Sequence, residues 1–260
     1  MITNKIKFLA VIASLLLFSG AAMATTITNV EGTYSFAGFD WMSNGTAVIT
    51  DYTPAVGDDF SITFFASALS ITKPDGSAYT GTQIGHDYEY TIVATMYETV
   101  TFCVDAACTG AGFYVTGGTF DIYYDTNVNA NMKTGAGFTD GELLISGVLG
   151  AQPGGAFGIG SPSGSAVLNA KVLYTNSNYI NPDLDTSWAT TTLQFGSSQT
   201  AWTAPEGIPG VGGAAEALPE GAFGMQADAN QTFTAVPEPG TLVLLGLGLT
   251  GLAVISRRRK

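Results

Sequence analysis

Between its two ends the chain is almost without cations: of its nine Lys and Arg residues only Lys73, Lys133 and Lys171 lie in residues 25–235, against twenty acids, a net charge of −17 for that stretch. Such a surface repels phosphate backbones and anionic lipid and attracts cations, which excludes nucleic acid as a partner. Histidine is confined to His86, beside Asp87, and no Gly-x-Ser-x-Gly elbow occurs to partner it, so a histidine-dependent triad has no visible nucleophile. Asp121, Asp125, Asp140 and Glu142, acids grouped within some twenty residues, are what so acidic a surface carries as background, although a paired-carboxylate hydrolase needs its two acids to meet only in space. No catalytic residue is assigned, and the chain reads as a non-enzyme.

The cations are gathered at the termini. Lys5 and Lys7 precede the apolar run Phe8 to Phe18, and the small residues Ala22 and Ala24 form an A-x-A site, the pattern of a signal peptide over residues 1–24. At the other end Pro237-Glu238-Pro239-Gly240 precedes an uncharged run, Thr241 to Ser256, and then Arg257, Arg258, Arg259 and Lys260. As a helix the run extends roughly 24 Å, enough to span a bilayer core of about 30 Å if the flanking cations snorkel. The terminal cluster fixes that end in the cytoplasm and the body outside. The order of these three parts resembles the PEP-CTERM sorting signal of Gram-negative bacteria. The resemblance implies a tail recognised and processed by an exosortase, a transient stay in the inner membrane, and release to the cell surface or extracellular matrix.

In an oxidising compartment Cys103 and Cys108, five positions apart around a turn, form a local disulfide pinning a hairpin. A redox or metal pair is the weaker reading, since no second cysteine pair exists to complete a site. The body between the signals, 25–235, is rich in Gly, Thr, Ser and Asn, with enough aromatics to build a core. Its periodicity is that of strands. Residues 90–104 alternate over fifteen positions, Tyr90, Ile92, Ala94, Met96, Val100, Phe102 and Val104 on one side, as one long strand or as two joined by a break near Glu98. Further strands are expected at 59–72, 113–125, 142–149, 166–174, 188–195 and 225–235. Asn44-Gly45 signals a hairpin, Lys73-Pro-Asp-Gly76 a turn, 151–164 an internal loop and 203–220 irregular chain. No amphipathic helix competes, and the pattern predicts an all-β fold, an antiparallel β-sandwich or jelly roll.

Asp125, Asn127 and Asn129 place oxygens at alternate positions, as the start of a Ca²⁺ loop does. Ala130 and Ala136 then stand where an EF-hand has its glycine and its bidentate glutamate. An Asn-rich turn and a Ca²⁺ site of another kind both stay open; no cofactor is required, and Ca²⁺ is the one left open. Gly117 to Asp125, Gly137 to Gly141, Tyr179 to Pro182 and Gln226 to Gln231 resemble stretches of the flocculation-associated PEP-CTERM proteins. That resemblance implies a non-enzymatic role with exopolysaccharide in floc or biofilm formation. The alternatives are a Ca²⁺-assisted, lectin-like carbohydrate-binding module, with the 125–142 cluster as its sugar site, and behind it a secreted polysaccharide hydrolase.

Overall fold

The period-two alternation becomes strands in the computed structural model, which describes residues 24–158, 163–196 and 201–234. The expected signal peptide with Ala22, and the tail with Pro237, Glu238, Pro239, Gly240, the apolar helix, Arg257, Arg258 and Arg259, lie outside the described residues. Among the described residues no helix is long and apolar enough to cross a membrane. The body is all-β and antiparallel. In chain order its strands are β1 (Thr26–Asn29), β2 (Gly32–Ser35), β3 (Gly38–Trp41), β4 (Gly45–Thr50) and β5 (Asp59–Thr72). Then come β6 (Glu89–Cys103), β7 (Gly110–Asp125), β8 (Glu142–Leu149), β9 (Gly154–Gly158) and β10 (Ser163–Thr175). The last are β11 (Ile180–Asn181), β12 (Trp188–Gly196), β13 (Gly207–Pro209), β14 (Ala215–Ala217) and β15 (Phe223–Thr234).

Ten of these form one sheet in the order β12-β10-β8-β7-β6-β5-β3-β15-β4, with β9 beside β10 and β7. Two further pairings, β12 with β15 and β4 with β5, leave each of the ten with a partner on both sides. The two faces of this sandwich-like body are therefore joined at both edges, and among the described residues no long row of backbone donors is left to recruit a foreign strand. β3 and β4 run in the same direction between β5 and β15, as two halves of one broken strand. Asn44-Gly45 is thus a bend and not the expected hairpin. Glycine is needed there because a Cβ on Gly45 would lie 2.6 Å from the Ala227 carbonyl oxygen.

Inward residues of all the long strands meet in one core, with aromatic rings at both ends. Phe39, Trp41, Tyr90 and Tyr124 gather at one end. There the small β11-β1-β2 sheet is tied on: Asn29 Nδ2 donates to the Tyr90 hydroxyl at 3.1 Å and the Val30 amide to the Tyr124 hydroxyl at 3.2 Å. Phe60, Phe113 and Phe157 gather at the other. Near that end Cys103 and Cys108 are joined by a disulfide, Cα atoms 4.7 Å apart, across the β6–β7 hairpin.

The alternation in β6 holds from Tyr90 to Val100 and is then shifted by the bulge at Val100/Phe102, where Thr101 is the extra residue. Phe102 and Val104, expected inside, are more than half exposed as a result. The expected loop 151–164 contains β9, and the expected irregular stretch 203–220 contains the β13–β14 hairpin.

Candidate functional site

On most of the closed sheet the outward face is polar, as period two requires. Across β4, β5 and β6 it is not: Val48 and Phe65 are outward and fully buried, and Val93 is partly buried beside them. These strands are apolar on both faces, so something must cover the outer one. Two segments do so, the loop at 126–141 and the chain from 201 to 222 that carries β13 and β14. Phe138 inserts its ring 5.1 Å from that of Phe65, edge to face, and Ala130, Met132, Ile208, Leu218 and Ala222 complete a small second core.

Polar contacts hold this layer in place. The Glu89 carboxylate, 3% exposed on the outer side of β6, accepts the Asn129 and Ala130 amides at 2.8 and 2.9 Å. Burial raises its pKa, the two amide bonds lower it, and Asp125 and Asp140 add repulsion, with a net upward shift. Thr91 Oγ1 donates to the Phe138 carbonyl at 2.7 Å. Between the two segments Thr139 Oγ1 donates to the Gly210 carbonyl and accepts the Gly213 amide, and the Glu206 amide donates to the Lys133 carbonyl. The Lys133 ammonium lies 2.8 Å from Glu206. Gly135 has φ +78°, and a Cβ there would fall 2.3 Å from the Ile208 carbonyl carbon, so the close approach of the two segments requires glycine.

Where the segments part, a cleft of about 320 Å³ opens to the surface. Asn44, Asn131, Met132, Lys133, Trp202 and Thr203 line it. Trp202 donates its Nε1–H to Thr46 Oγ1 at 3.0 Å, which fixes the edge of the indole. Asn131 accepts the Lys133 and Thr134 amides on its side-chain oxygen, leaving its NH₂ as the group to offer outward. The cleft therefore combines an anchored aromatic ring with neutral hydrogen-bonding groups and one ammonium already paired to a carboxylate.

The residues singled out from sequence lie at the rim of this layer. Asp125 Oδ1 accepts the Asn127 amide at 2.8 Å, an Asx turn, whereas Asn129 donates its side-chain NH₂ to Asp140 at 2.9 Å and its backbone amide to Glu89. Asp125 and Asn127 are thus tied to each other and Asn129 to Glu89 and Asp140. Among the described residues no group of three or more His, Cys, Asp or Glu side chains is placed to hold a metal ion. His86 is exposed and bonded to Asp87. Sequence reasoning missed Glu89, Trp202, Asn44 and Lys133. The one signal available was Glu89 itself, an acid opening a long apolar-alternating strand with an Asn-rich run forty positions later.

The family model for the PEP-CTERM protein-sorting motif matches residues 235–260. Such a motif implies processing by an exosortase and export through the membrane to the cell surface. No curated protein and no solved structure matches the chain.

Proposed function

We propose that this bearer of a PEP-CTERM sorting motif is an extracellular matrix protein, acting without catalysis in association with exopolysaccharide in floc or biofilm formation. The observation that carries the reading is the sorting motif at 235–260 attached to a body of net charge −17. The motif supplies the route: passage to the inner membrane, processing by the exosortase near Pro237-Glu238-Pro239, and release outward. The acidity suits a protein living among hydrated polymer, joined to anionic segments through divalent cations. The half-exposed ring of Tyr97 on the outer surface offers a face on which a sugar stacks.

The test is intact mass and fractionation of the native protein from its own cells, with Pro237 and Pro239 both changed to alanine in parallel. The expected result is a wild-type chain lacking residues 1–24 and the Arg257 to Lys260 cluster, found in extracellular polymer, with the variant retained in the inner membrane. A full-length chain embedded in the membrane in both strains makes the tail an anchor and overturns the matrix role.

A further inference from the structure

The sorting motif delivers the protein to the matrix without saying which part of the body meets the polymer. We propose that the cleft between the 126–141 loop and the start of the 201–222 segment binds one neutral sugar unit of that polymer, with the face of Trp202 as its platform. This assignment rests on the exopolysaccharide reading above and adds the site and the ligand chemistry to it.

The indole edge is committed to Thr46, so Trp202 offers a ring face and not an N–H. On the sheet side the ring is backed by Gly224, where a Cβ would come 3.6 Å from Trp202 Cζ2 and 2.5 Å from Pro205 Cδ. Glycine there lets the Trp202–Pro205 stretch lie directly on β15. A sugar ring has the complementary build: C–H groups on one face that pack on an aromatic surface, and hydroxyls around its rim that exchange hydrogen bonds with amides and hydroxyls. Asn131, whose side-chain oxygen is committed to two backbone amides, has its NH₂ to offer, and Thr203 adds a hydroxyl, while the Asn44 side-chain oxygen is buried in the wall. Met132 contributes an adaptable apolar side.

Charge decides against an anionic ligand. The ammonium of Lys133 is already matched by Glu206, and the surrounding body is strongly acidic, so the cleft has no spare cation to select a phosphate or a uronate. Its volume of about 320 Å³ falls at the lower end of small-molecule sites, roughly 300 to 1,000 Å³. Because the cleft is open at the surface, a polymer can continue past the unit it holds. Trp188 differs: it stands on the outer face of β12, beside Lys171, on the sheet surface outside this cleft.

The experiment uses the mature protein purified from its own cells and the exopolysaccharide extracted from the same cells. Co-sedimentation gives the affinity; oxidation by N-bromosuccinimide, read by mass spectrometry with and without polymer, gives the footprint without any mutation. The expected result is protection of Trp202 but not Trp188, a loss of roughly ten-fold or more in affinity for Trp202→Ala, retention of most affinity in Trp202→Phe, and no change in Trp188→Ala. Binding by the wild type with Trp202 unprotected, or with Trp202→Ala unchanged, overturns the cleft assignment and leaves the matrix reading standing. Absence of wild-type binding to the polymer overturns the matrix reading and the cleft with it.

Discussion

Glu98 stands opposite Phe60 across the β5–β6 ladder, 1% exposed, and neither of its carboxylate oxygens has a hydrogen-bond partner among the described residues. A charge cannot be held in such a place without compensation, and burial alone pushes the pKa up to about 8. At neutral pH the folded protein keeps this carboxyl protonated, whereas the unfolded chain ionises it near the ordinary value of about 4.3. Between these two values the native state holds the additional proton, so stability falls as pH rises from about 4.5 towards 8 and levels off above it. Asp40 and Asp228, both raised chiefly by burial, act in the same direction. Urea midpoints are therefore expected to be lower at pH 9 than at pH 5. In Glu98→Gln most of that difference disappears, and a Glu98→Gln profile identical to wild type rules the explanation out.

The disulfide at the end of the β6–β7 hairpin closes a very short loop, so it removes little entropy from the unfolded chain: about 2 kcal/mol on the chain-entropy estimate. For a body of this size that corresponds to a fall in Tm of roughly 4 to 8 °C. Calorimetry with and without reductant measures it, and reductant should not shift the Cys103→Ser/Cys108→Ser double variant. A fall several times larger would mean that the hairpin end needs the bridge to form at all.

What the sequence made legible was whatever its periodicity encodes directly. β5 spans the expected 59–72 and β8 the expected 142–149, because turn residues bound them: Lys73-Pro-Asp-Gly76 ends the first and Asp140-Gly141 precedes the second. β9 was hidden, since Gly154 and Gly155 carry no side chains to alternate; the reason for their glycines is the backbone beside them, which no local pattern reveals. Val48 and Phe65 fall on the outward face of their strands, and their burial depends on Phe138, more than seventy positions from Phe65. The cleft was illegible for the same reason, as Asn44, Lys133 and Trp202 belong to three distant segments brought together by that second core.

The glycines of β9 make this testable by contrast with one in a turn. A Cβ on Gly155 would lie 2.1 Å from the Ser165 carbonyl oxygen and 2.7 Å from Ala166 Cα, both backbone atoms that cannot yield without opening the β9–β10 ladder. Gly155→Ala is expected to cost about 3 kcal/mol or more. Gly57, at φ +87° with nothing within 4 Å, has room for a side chain but not the conformation, and Gly57→Ala should cost only about 1 kcal/mol. Urea denaturation of the two variants side by side decides it; equal costs would mean that backbone crowding is not what requires glycine in β9.

Glu89 is the fastening of the layer over β4, β5 and β6. Its carboxylate takes the amides of Asn129 and Ala130, at the point where the 126–141 loop turns towards the cleft-lining residues Asn131 to Lys133. Glu89→Ala leaves two amide donors in a half-buried place without acceptors, each worth about 1 to 3 kcal/mol. Glu89→Gln keeps an acceptor oxygen and loses the charge that Asp125 and Asp140 repel. Amide exchange at 127–137 is therefore expected to quicken by ten-fold or more in Glu89→Ala and much less in Glu89→Gln, with the β5–β6 amides of the inner core unchanged. If instead β5 and β6 exchange faster together with the loop, Glu89 supports the sheet itself, and the outer layer is not a separately fastened unit.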